Sequence, residues 1–91
     1  MRTHLGEIDL IARSPGGDIC FIEVKARPDM LSALEAVLPR QRARIVRAAQ
    51  QFIALSPSLA RAPIRFDIVT VAPRGFPRHI RNAWRPDDAP F

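Results

Sequence analysis

With 91 residues, 47% of them hydrophobic, and a formal net charge of +5, the chain has the size of one small domain and too much apolar content for global disorder, despite nine prolines. No run approaches the ~18 apolar residues of a membrane span, and the first residues lack the apolar stretch of a signal peptide, so a cytoplasmic protein is expected. A single cysteine, Cys20, excludes an internal disulfide and a thiolate metal site and fits a buried thiol in a reducing compartment.

Glu7–Arg13 and Asp18–Arg27 read as antiparallel strands joined by Ser14-Pro15-Gly16-Gly17, a dense turn signal. Period-two alternation places Glu7, Asp9 and Ile11 on one face of the first strand and Ile8, Leu10 and Ala12 on the other. In the second, Ile19, Phe21, Glu23 and Lys25 oppose Cys20, Ile22, Val24 and Ala26. Each strand thus has one apolar face and one on which apolar residues give way to charge, a pattern that helices covering both faces would satisfy. Pro28–Leu38, containing LSALEAVL, fits a connector or a turn or two of helix. Pro39 opens the clearest helix, PRQRARIVRAAQQFIALS, which Pro57 stops. Its apolar stripe is Ile45, Ala48, Ala49, Phe52 and Ile53, headed by Gln41, while Arg40, Arg44, Arg47 and Gln51 line an adjacent face. Ile64–Ala72 is a third strand, closed by Pro73-Arg74-Gly75. His79–Ala83 can add an edge strand, with Trp84 on the core or at the surface, and residues 86–91 read as a frayed tail. No linker divides the chain, so residues 1–91 are expected to form one α/β domain.

Alternation brings Asp9, Glu23 and Lys25 to one point of an otherwise apolar sheet. Burying such groups is costly unless they pair or bind a metal. Asp9 and Glu23, with the backbone carbonyl of Val24, could ligate Mg²⁺, a hard cation content with a few carboxylate oxygens and water. Lys25 would then position an attacking water or stabilise charge in the transition state. A buried salt bridge without catalysis needs the same charges. Gln41 could bridge a carboxylate or a substrate phosphate, or serve as a helix cap or surface residue. Thirteen of the 14 basic residues are arginine, which suits bidentate phosphate contact but also follows from GC-rich coding. Arg40, Arg44 and Arg47 accordingly read as a track for a nucleic-acid backbone or as a solvated helix face. Arg42 points towards the other edge. Asp67, polar inside a strand, is expected to pair with Arg65 or a nearby arginine. His4 and His79 are isolated and read as ordinary surface, whereas Phe21, Phe52 and Phe66 read as core. Phosphate-loop, zinc and Ser/His/Asp patterns are absent from the sequence.

Asp9, a turn, then Glu23-Val24-Lys25 on an apolar strand resemble the D…(D/E)-x-K core of restriction-endonuclease-like nucleases, with Ile8-Asp9 in place of the usual PD dipeptide. More closely, GEIDLIA, FIEVKAR, LEAVLPRQRARIVRAAQQFI, RFDIVTV and HIRNAWRPD resemble the YraN-type (UPF0102) family of small uncharacterised proteins, classed with endonucleases related to Holliday junction resolvases. The likeness runs along nearly the whole chain. It implies a restriction-endonuclease-like three-layer core, a central mixed β-sheet flanked by helices. It also implies metal ligands at Asp9 and Glu23, a catalytic lysine at Lys25 and an assisting Gln41, with Glu7 as the other acidic position of its string. Members of that family begin with a helix upstream of GEIDLI, whereas this chain starts five residues before Gly6. The resemblance therefore implies a truncated domain, or a sheet face covered by another element or subunit. Three functions follow as alternatives. One is a Mg²⁺-dependent (or Mn²⁺-dependent) DNA endonuclease, with branched DNA as a possible substrate and a two-fold dimer supplying paired sites. Another is a non-catalytic nucleic-acid-binding or adaptor domain. The last is an interaction protein whose uncovered sheet recruits a partner.

Overall fold

The computed structural model describes residues 8–73 and 75–85. Expectations that fall on His4, Glu7, Arg74 and the tail at 86–91 lie outside the described residues. The elements are β1 (Leu10–Arg13), β2 (Ile19–Ala26), α1 (Met30–Ala36), α2 (Pro39–Ala54), a 3₁₀ turn (Pro57–Leu59), β3 (Ile64–Val71) and β4 (Arg78–Trp84). They form a mixed sheet in the order β1-β2-β3-β4, with α1 and α2 packed on one face. β2 and β3 are parallel, and the two outer pairs are antiparallel.

Local chemistry accounts for these elements. Between β1 and β2, Gly17 adopts φ 97°, a conformation that glycine reaches without steric cost, and donates its N–H to the Ser14 carbonyl at 2.9 Å. The Ser14 hydroxyl in turn accepts the N–H of Asp18 at 3.0 Å. A parallel partner for β2 requires a long crossover, which α1 and α2 supply. Asp29 caps α1 by accepting the N–H of Ser32 at 2.8 Å, and this bond holds its carboxyl below the ordinary carboxylate range. Pro39 occupies the first turn of α2, where its missing N–H costs nothing. Arg42, assigned little role by its position in the sequence, ties these parts together. Its Nε donates to the Val37 carbonyl at 2.9 Å, and its guanidinium lies 5.7 Å from the centre of the Trp84 ring.

One face of the sheet carries Ile19, Phe21, Phe66 and Ile68, and a continuous core joins them to Ala33 of α1, to Val37 just after it and to Ile45, Val46, Ala48 and Ala49 of α2. Aromatic contacts run through it: Phe52 meets Phe21 edge-on at 6.0 Å, Phe21 stacks on Phe66, and Phe66 stacks on Trp84 at 4.3 Å. Ile8 departs from the alternation. It belongs to this core rather than to the face of Leu10 and Ala12, because the chain bends at Asp9 and the strand begins only at Leu10.

The opposite face carries Cys20, Ile22, Arg65 and Asp67, and among the described residues no helix covers it. Burial raises the Cys20 thiol above its ordinary pKa, which suits a packing role rather than nucleophilic chemistry. Asp67 is completely buried there and fully engaged. Its Oδ2 accepts from Arg65 Nε at 3.1 Å and lies 2.7 Å from His79 Nε2, while its Oδ1 accepts the backbone N–H of Asn82 at 2.8 Å. Although burial opposes the charge of Arg65, Asp67 beside it holds the guanidinium above its ordinary value. Asn82, at φ 50°, sits where the β3–β4 register shifts between Phe66 and Ile68, so the carboxylate pins a bulge. His79 is exposed, as its surface reading has it, but one ring nitrogen reaches the buried Asp67.

Candidate active site

The first charged group stands just before β1. Leu10 pairs with Ile22, and beyond that point the side chain of Asp9 takes over from the ladder, its Oδ2 accepting the N–H of Val24 at 3.0 Å. One carboxylate is thereby anchored to the backbone unit between Glu23 and Lys25. An ionised carboxylate retains lone pairs beyond that bond, so anchoring does not exhaust Asp9 as a ligand.

Glu23 follows Ile19 and Phe21 on the core face of β2 and is 5% exposed. A carboxylate this deep needs partners, and the helical layer supplies one. Gln41, in the first turns of α2, donates from Nε2 to Glu23 Oε2 at 3.1 Å. Its inward position follows from the stripe of Ile45, Ala48 and Ala49, which turns the same side of α2 towards the sheet. Lys25, two residues along β2, brings Nζ to 3.8 Å from the same oxygen. Val24 points the other way and is exposed.

Asp9, Glu23, Lys25 and Gln41 are therefore brought together where β1, β2 and the start of α2 meet. Among the described residues, no group of three His, Cys, Asp or Glu side chains is placed to hold a metal ion. Two carboxylates and a backbone carbonyl form a short set of hard oxygen donors, which suits an ion that keeps several waters. Arg40, Arg44 and Arg47 are exposed along α2, and Arg40 lies next to Gln41 in the chain. A groove of about 520 Å³ on the opposite face, lined by Arg13, Cys20, Arg65 and His79 among others, contains none of the cluster residues. Sequence reasoning missed the Asp67–His79 contact, whose only signal was a histidine in a strand paired with the strand of Asp67.

A mixed sheet, its helical crossover and a carboxylate–lysine cluster on β2 define a restriction-endonuclease-like α/β architecture. The chain belongs to the uncharacterised protein family UPF0102, whose family model matches residues 1–71. It is 51% identical over 82 residues to a UPF0102 protein of Paramagnetospirillum magneticum, covering 90% of this chain and 63% of the relative. A UPF0102 protein of Parvibaculum lavamentivorans is 45% identical over 86 residues, covering 94% and 64%. One of Maricaulis maris is 49% identical over 88 residues, covering 97% and 68%. The chain thus spans roughly two thirds of the length of these relatives. Among the described residues, no helix is long and apolar enough to cross a membrane.

Proposed function

We propose that this chain hydrolyses phosphodiester bonds in DNA with the help of Mg²⁺ or Mn²⁺. The observation that carries this reading is that Gln41 and Lys25 both approach one oxygen of the buried Glu23, while Asp9 is fastened to the adjoining Val24 peptide. A buried salt bridge alone requires neither a second carboxylate fastened to the intervening peptide nor a glutamine reaching in from the next layer. Asp9, Glu23 and the Val24 carbonyl would hold the ion, with water and substrate oxygens completing its shell. Such an ion supplies Lewis-acid polarisation of the phosphoryl group and acidifies water.

The side chains have distinct tasks in this reading. Asp9 fixes the strand end through Val24, so the two carboxylates keep a constant relation. Lys25 offers a cationic donor beside Glu23, suited to orienting water and to balancing negative charge as the phosphorus centre gains an oxygen. Gln41 holds the Glu23 carboxylate in place. Arg40, Arg44 and Arg47, exposed on α2, would contact backbone phosphates and set affinity rather than sequence preference.

The test is cleavage of labelled branched, single-stranded and duplex DNA in Mg²⁺, Mn²⁺ or EDTA. Metal-dependent product is expected from the chain and none from Asp9→Ala or Glu23→Ala, with both variants still binding DNA. Full activity in either variant contradicts the assignment. Salt-sensitive binding with no product on any substrate would support the non-catalytic binding domain instead.

A further inference from the structure

The loop between β3 and β4 carries an aromatic side chain that the fold does not use. Phe76 is 92% exposed, whereas Phe21 and Phe66 are buried and Phe52 is packed against the core. Its backbone is constrained. Pro77 follows it, which disfavours helical geometry and keeps Phe76 extended, and Gly75 before it turns the chain at φ 134°. The ring is thus presented to solvent by a shaped loop.

Its location gives this exposure a use. β2 and β3 are parallel, so the β3–β4 loop leaves the sheet at the end where β2 carries Glu23 and Lys25. Lys25 is the ladder partner of Thr70, and paired residues point to the same face. Thr70 in turn lines a cavity of about 300 Å³ whose wall includes Met30, Ala72, Phe76 and Arg78. Thr70, itself buried, thus lies between Lys25 on the neighbouring strand and the cavity that Phe76 helps to line. Arg78 is exposed beside it, its Nη1 3.9 Å from Met30 Sδ. The Asp29 carboxylate at this cavity accepts the N–H of Ser32, which draws part of its negative charge into the start of α1. A flat apolar ring with a guanidinium nearby matches a nucleobase joined to its phosphate, since every base offers a π-face and every link a negative charge.

We propose that Phe76 is a stacking platform for an unpaired base, and that the substrate class is DNA in which a base beside the scissile phosphate is free of its partner. This proposal rests on the phosphodiesterase reading. Paired bases inside a duplex bury their faces against one another and leave Phe76 nothing to stack on, so the ring selects single strands, flaps or junction points over continuous duplex.

Phe76→Trp provides a direct reporter, with the buried Trp84 as a constant background. Titration in EDTA with a single-stranded oligonucleotide and with a blunt duplex of the same length separates the two substrate shapes. Quenching of the variant's emission by the single strand but not by the duplex is expected. Phe76→Ala should bind the single strand roughly tenfold more weakly while keeping its affinity for the duplex. Salt-sensitive DNA binding with no quenching, or equal losses on both substrates in Phe76→Ala, overturns the stacking role and leaves the phosphodiesterase reading intact. Absence of binding to any DNA overturns both.

Discussion

Glu23 and Asp67 are buried carboxylates inside neighbouring strands of one sheet, displaced by a single residue in register, since Ile22 pairs with Asp67 and Glu23 with Ile68. They point to opposite faces and are handled differently. Asp67 has both oxygens engaged, one by the Asn82 peptide and the other by Arg65 and His79, and these bonds determine where β4 bulges. Glu23 is approached by flexible side chains, Gln41 and Lys25, beside a second carboxylate on a strand end. A carboxylate bonded to backbone and fixed arginine belongs to the architecture. One surrounded by side chains that can exchange partners has the freedom that the proposed metal and substrate site requires.

Substitution should separate the two sharply. Asp67→Asn presents an amide nitrogen to groups that need an acceptor, and breaking such a buried network costs about 3 kcal/mol or more, a large part of the stability of so small a domain. Urea denaturation should show a midpoint far below that of the parent protein. Glu23→Gln retains shape and an acceptor oxygen, so its stability should change by no more than about 1 kcal/mol while DNA cleavage falls at least about a hundredfold. Equal destabilisation by the two substitutions would end the distinction between them.

Smaller effects sharpen the same contrast. Arg42→Ala removes the bond to Val37 and the contact with Trp84 and should cost about 1–2 kcal/mol in the same assay without altering residual DNA affinity. Asp29 tests the acid limb. Its carboxyl is lowered in the folded protein, so its stabilising contribution is complete above the unfolded value and disappears as pH falls through the folded one. Asp29→Asn should therefore flatten the pH dependence of stability below about pH 4, as followed by circular dichroism. Arg47→Ala should have the least consequence, a few-fold loss of DNA affinity with a shallower salt dependence.

Much of this contrast was legible in the residues themselves. Alternation along FIEVKAR places Glu23 and Lys25 on one face, and the apolar stripe of α2 carries Gln41 inward, because both depend on short-range periodicity. Asp67 stood out as a charged residue within an apolar strand, and its pairing with Arg65 follows from their positions two apart on one face. The rest required tertiary neighbours. Ile8 enters the core because the side chain of Asp9 ends the ladder, which periodicity cannot register. His79 reaches Asp67 only once the bulge at Asn82 sets the register of β4. Arg42 matters because Val37 and Trp84, five and 42 residues away, converge on it. The segment Met30–Ala36 is a seven-residue helix held by one cap, too short for its periodicity to distinguish it from a connector.

The carboxylates gathered on β2 and before β1 are proposed to serve catalysis. The most direct test of that role compares the parent chain with Glu23→Gln on the same labelled single-stranded and branched DNAs, in Mg²⁺ and in EDTA, with folding and DNA binding verified for both proteins. Metal-dependent cleavage by the parent and binding without cleavage by Glu23→Gln is the predicted result. Equal cleavage by the two proteins would contradict it.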